Sequence, residues 1–186
     1  DMMRQQVRPE SRIGTWIIAG GTASNVIPEF GELEVTVRHT EREYLNGLSE
    51  QIKNIFEGAA LCTGTTVDVE FYGNPYDDMN QNHRGTVLIE DVMTDMDIDF
   101  KPGPADIGGS SDIGNVSYQC AAFHPKLRLA GEDKVCHSKE FAAAMLEQTI
   151  EQTIVDGANI IGRTLLRLVE NPAVLEEIVA EFNATK

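Results

Sequence analysis

Four of the 186 residues are histidines (His39, His83, His124 and His137), and no two stand at HxH, HxxxH or HExxH spacing, so no local pair of metal ligands is present. His137 directly precedes Ser138-Lys139-Glu140, a helix-opening pattern. An imidazole in that place acts as a cap or surface group, or as a metal ligand. The run Gly108-Gly109-Ser110-Ser111-Asp112-Ile113-Gly114 forms either a structural turn or a loop that offers backbone N–H groups to an anion. It is neither a Walker loop nor a GxGxxG motif, and Ser111 lacks both a GxSxG elbow and a neighbouring base, which sets aside serine-hydrolase chemistry. Asn25 and Arg38 join a neutral donor to a bidentate fork, a combination suited to gripping a carboxylate. Taken alone, an arginine such as Arg38 is more commonly a solvated charge on the polar face of a strand.

The elements that position these residues follow from hydrophobic spacing. Ile13 to Ala19 is predicted to be a strand running into the Gly20-Gly21 turn, and Asn25 and Arg38 end and begin segments of neighbouring strands. Residues 32–39 alternate, with Leu33, Val35 and Val37 against Glu34, Thr36 and Arg38, the pattern of a half-buried strand. From Glu41 to Leu61, Leu45, Leu48, Ile52, Ile55, Phe56 and Ala59 predict an amphipathic helix. Thr65 to Tyr72 alternates again as a third strand. Strand, strand, helix, strand predicts an α/β sandwich, an antiparallel sheet with helices on one face. Turn chemistry at Gly73-Asn74-Pro75-Tyr76-Asp77-Asp78 suggests a boundary, giving domains of 1–75 and 76–186. Further on, a helix from Val87 to Met96, a strand from Ala121 to Leu129 and a long helix from Ser138 to Val169 are expected. In that long helix Met145 or Leu146, Ile150, Ile154, Ile161, Leu165 and Leu168 would face the core. Gly157 weakens its middle by ~1 kcal/mol, and Asn171-Pro172 ends it and starts a terminal helix.

Fifteen basic residues against thirty acidic ones, a formal charge of -15, argue against nucleic acid and anionic membranes as partners. Cys62, Cys120 and Cys136 form no CxxC pair, so a reducing compartment, the cytoplasm, is the expectation. No apolar run approaches the ~20 residues needed to cross a bilayer. The opening Asp1-Met2-Met3-Arg4-Gln5-Gln6 reads as a helix entered partway, which predicts a fragment of a longer protein.

In combination the motifs resemble a known family. Gly20-Gly21-Thr22-Ala23-Ser24-Asn25-Val26-Ile27-Pro28, Arg38 thirteen residues after Asn25, the Gly109 to Ser117 loop and then His137 occur in the order seen in zinc-dependent amidohydrolases. That superfamily includes aminoacylase, carboxypeptidase G and succinyl-diaminopimelate desuccinylase. Glu57-Gly58-Ala59-Ala60-Leu61 with Thr65-Thr66-Val67 is similar, more narrowly, to the branch of aminobenzoyl-glutamate utilisation proteins and aminoacylase-like dipeptidases. The resemblance covers about Met2 to Val169.

It implies a partial ferredoxin-like lid or dimerisation domain over 1–75 and the C-terminal part of an α/β zinc-peptidase catalytic domain over 76–186. Asn25 and Arg38 would hold the carboxylate of a small amide substrate, and Ser111 would line the site. His137 would be a ligand to a divalent metal, Zn or Mn, two per complete site, with Asp112 behind the ligands. Cys136 stands where the family usually has glycine. No catalytic residue is expected in this chain: the remaining ligands, the Glu base and the lid histidine would belong to a missing N-terminal catalytic half, and the chain would act as a homodimer through its lid. The implied activity is hydrolysis of an N-acyl amino acid, aminobenzoyl-glutamate or a short dipeptide. A non-catalytic dimerisation or ligand-binding module derived from such an enzyme, or a small-molecule sensor, is the alternative.

Overall fold

The computed structural model describes residues 2–103, 109–129, 134–147 and 149–185, which fall into two compact units, Asp1–Asp78 and Met79–Lys186.

In the first unit a 3-10 turn, Met2–Gln5, precedes β1, Arg12–Ala19. This strand pairs antiparallel with β2, Glu32–Arg38. The register sets Ile13 against Val37, Thr15 against Val35 and Ile17 against Leu33 on one face, and Arg12 against Arg38, Gly14 against Thr36 and Trp16 against Glu34 on the other. A bulge at Ile18 shifts the register so that Ala19 meets Glu32. Helix α1, Arg42–Thr63, packs beside β2, burying Leu48 and half-burying Leu45, Ile52 and Phe56, while Ile55 stays exposed. It ends on Gly64 at φ +68, and the next residue, Thr65, donates its N–H back to the Ala60 carbonyl.

The third strand expected at Thr65–Tyr72 is not formed, and these residues have no regular structure. Alternation specifies which face a strand would bury, but a strand exists only through ladder bonds, and the sole ladder among the described residues joins β1 to β2. Val67, Phe71 and Tyr72 are consequently exposed. The fold class is therefore mixed α/β, with a two-stranded sheet in place of a sandwich.

The second unit is helical. Helix α2, His83–Asp95, starts on Asn82, whose side chain accepts from the Gly85 N–H at 2.9 Å. Ile89, Val92 and Met93 of α2 meet Ile160, and Met96, Ile98, Phe100, Phe123 and Leu127 close around them. Two short helices follow, α3 Ile113–Ser117 and α4 Lys139–Ala144, then α5 Thr149–Glu170 and α6 Pro172–Thr185.

Here too the expectations need correction. Ala121–Leu129 is irregular: Phe123 and Leu127 pack on the helical core, and the segment has no neighbouring strand to pair with among the described residues. The long helix is two: past Ala144 the N–H groups of Met145, Leu146 and Glu147 bond three residues back, tightening the chain out of α-geometry. Its core face is also rotated from the predicted one. Ile150, Ile160 and Thr164 are buried, whereas Ile154, Ile161 and Leu165 are exposed. Gly157 lies on the inner face, where a β-carbon would come within 3.4 Å of Leu127 Cδ1.

Candidate functional site

Arg38 is the last residue of β2, exposed, and directly across the ladder from Arg12. Its guanidinium has no ion-pair partner among the described residues. Like charges set opposite each other repel, so this end of the hairpin attracts anions. His39 follows, its Nδ1 accepting the Glu41 N–H at 2.9 Å and its ring 4.2 Å from that of Tyr44.

Asn25 lies in the 20–31 connection. A β-carbon on Gly21, at φ +99, would sit 2.8 Å from Pro28 Cγ, so these two residues pinch the base of the connection and leave Asn25 at its tip. Arg38 is at the other end of the ladder, six residues or about 20 Å of strand from Glu32. The fold does not bring Asn25 and Arg38 of one chain together.

Beside the hairpin, the Tyr72 hydroxyl donates to Glu34. That bond pushes the phenol's pKa above its usual value of 10.0, with smaller contributions in the same direction from lost hydration and from the carboxylate charge.

In the second unit Ser111 is half-buried, and its hydroxyl donates to Asp112 Oδ1 at 3.3 Å. Gly108 lies outside the described residues. The short α3 is anchored by buried Ser117, whose Oγ donates to the Gly114 carbonyl at 2.6 Å and accepts the Asn80 N–H at 2.8 Å. His137 is exposed and holds φ +68, a left-handed backbone uncommon for a side chain of this kind. The next residue, Ser138, caps α4 by accepting the Phe141 N–H at 3.0 Å. The capping function predicted for this position thus belongs to Ser138, leaving the imidazole unused by the cap. Cys136, also exposed, is a free thiol.

Among the described residues no three His, Cys, Asp or Glu side chains converge in a geometry able to hold a metal ion. His137 is a candidate ligand without companions, and no hydrogen bond joins it to Ser111 or Asp112. Nor is any described helix long and apolar enough to cross a membrane.

No family model matches the chain. Individual relatives do. The chain is 29% identical, over 97% of its length, to a Xaa-Arg dipeptidase of Mus musculus and 28% identical, over 97%, to a Xaa-Arg dipeptidase of Homo sapiens. These likenesses support the resemblance to the aminoacylase-like amidohydrolase and peptidase superfamily. An N-acetyldiaminopimelate deacetylase of Leuconostoc citreum (strain KM20) is 31% identical over 48% of the chain and 23% of its own length. The chain spans 42% of the length of each dipeptidase relative. Asn25 and Arg38 lie on the first unit, Ser111 and His137 on the second.

Proposed function

We propose that the whole protein hydrolyses the amide bond of a small substrate carrying a free carboxylate, a short dipeptide, an N-acyl amino acid or aminobenzoyl-glutamate. The supporting observation is similarity along 97% of the chain to dipeptidases. A dipeptide ending in arginine is the first substrate to try, since the relatives' name specifies it.

In this reading Arg38 binds the substrate carboxylate with its fork, and an exposed guanidinium without a carboxylate partner among the described residues is ready for that task. Asn25 supplies a neutral donor. Because Asn25 and Arg38 stand at opposite ends of one hairpin, a single carboxylate touched by both requires two copies of the chain, which favours a homodimer formed through the first unit acting as a lid. A ferredoxin-like sheet in that unit would need strands beyond β1 and β2.

The second unit would contribute part of a catalytic domain. A divalent metal, Zn or Mn, two per complete site, supplies carbonyl polarisation and a more acidic water when bound. His137 would give one donor, and the others would come from outside these residues. Ser111 would line the substrate channel, with Asp112 holding its hydroxyl. Three free, exposed cysteines suit a reducing compartment such as the cytoplasm.

The test is steady-state hydrolysis of an Xaa-Arg dipeptide and of aminobenzoyl-glutamate by the full-length protein, with and without added Zn or Mn. Metal-dependent release of the free amino acid is the expected result. Absence of turnover on both, with carboxylate binding intact, would replace the enzyme by a binding module.

A further inference from the structure

The first unit contains a cavity of about 430 Å³ between the Met2–Gln5 turn, the loop after it and the start of β1. Three arginines line it, Arg4, Arg8 and Arg12, together with Ser11, Ile13 and Gly14, and none of the described lining residues is acidic. In a protein of net charge -15 such a cluster is against the general trend of the surface.

The three cations are held in different ways. Arg8 is fixed by Glu41, which accepts from Nη1 at 2.8 Å, and by Tyr44, whose ring centroid is 4.4 Å from Cζ. Arg12 uses Nη1 alone, donating to the carbonyls of Pro9 at 2.6 Å and Ser11 at 2.8 Å, which leaves Nε and Nη2 without a partner among the described residues. The Arg4 side chain has no partner among the described residues. Arg38 adds a fourth positive charge from across the ladder, opposite Arg12. Only one of these four is neutralised by a carboxylate among the described residues.

Ser11 supplies a second and independent observation. It is 7% exposed, and its hydroxyl is buried without a hydrogen-bond partner. A buried donor left unmade is unfavourable. An oxyanion in the cavity it lines would satisfy it once the hydroxyl turns inward.

We propose that this cavity binds a phosphate group. Arginine forks fit tetrahedral oxyanions through paired N–H donors, and a dianion offsets more of the cluster's repulsion than a single carboxylate does. The site is distinct from the carboxylate grip assigned to Arg38, although the opposed Arg12 places the two within reach of each other's field.

Calorimetric titration of the protein at low ionic strength tests this, with inorganic phosphate and glycerol phosphate as parallel probes to separate a free from an esterified source. Saturable binding of either is expected, weakening as salt is added. Arg4→Gln and Arg12→Gln should each weaken it by about tenfold or more, Arg4→Lys should weaken it less than Arg4→Gln, and Arg38→Ala, which removes a neighbouring charge but no lining group, should weaken it less than either Gln variant. Arg4 is exposed and has no partner among the described residues, so its variants keep the fold even if Arg12→Gln does not. Failure of both probes to saturate, indifference to Arg4→Gln, or loss confined to Arg38→Ala would overturn the proposal. Because the readout is binding, the outcome is independent of whether the protein hydrolyses amides.

Discussion

Asn82 and Ile178, ninety-six residues apart in sequence, are joined by a hydrogen bond of 2.9 Å from the Asn82 amide to the Ile178 carbonyl. The same buried side chain caps α2 through its oxygen, so it fastens α6 to the start of α2. Asn82→Ala removes a cap worth ~1 kcal/mol and leaves a carbonyl unpaired at ~1–3 kcal/mol. Destabilisation of about 2–4 kcal/mol is expected by denaturant unfolding. Asn82→Asp, which keeps the cap but not the donor, should fall between.

Next to it, Gly85 has no room for a methyl group. A β-carbon there would stand 1.9 Å from Phe123 Cε1. Gly85→Ala should cost about 1–3 kcal/mol through overpacking, and the penalty should shrink in a Phe123→Ala background. Equal penalties in both backgrounds would mean that the ring is not the obstacle.

Arg38→Ala should raise KM for carboxylate substrates by roughly tenfold to a hundredfold, the equivalent of ~1.5–3 kcal/mol for hydrogen bonds to a charged group. The circular dichroism spectrum should not change, since Arg38 is exposed and without an ion-pair partner among the described residues. Unaltered kcat and KM would remove Arg38 from the site.

His137 allows two effects to be separated. His137→Gly relieves a left-handed backbone and should stabilise the second unit by up to ~1 kcal/mol, while His137→Ala should not. Both should lower the metal content of the full-length protein, measured by elemental analysis. Metal retained in full by both variants would return His137 to a purely backbone role.

For Tyr72 the folded pKa lies above the unfolded value of 10.0. The neutral phenol is thus favoured by folding, and its contribution to stability is complete below pH 10 and disappears as pH rises through the folded pKa. Ultraviolet titration of the phenols should show one late-ionising group that moves back toward the ordinary value in Glu34→Gln. A titration curve unchanged by that substitution would exclude Glu34 as the cause.

Much of this architecture is legible in the sequence because it is local. The β1–β2 hairpin and α1 lie within a residue or two of their predicted bounds, since alternation and the Leu45, Leu48, Ile52, Phe56 spacing reflect burial on one face. Thr65–Tyr72 has the same alternation and no ladder, because strand formation depends on a partner that a pattern of side chains does not specify. The inner face of α5 departs from its predicted position for a related reason: the helix carries apolar residues on two sides, and Ile160 with Thr164, not Ile161 with Leu165, is the buried pair, Ile160 meeting α2. Among candidate site residues, the sequence indicates Arg38 by its position on a strand but conceals its separation from Asn25, which is a matter of hairpin geometry. Arg4, Arg8 and Arg12 carry no signal in the sequence beyond their spacing of four, because only the turn at Arg8–Ser11 gathers them around one cavity.

Trp16 is the chain's sole tryptophan, stands in the middle of β1 and is 65% exposed. The protein therefore carries an intrinsic fluorophore on an exposed part of its hairpin. Its emission would move to shorter wavelength, and become harder to quench with iodide or acrylamide, whenever another surface settles over that strand.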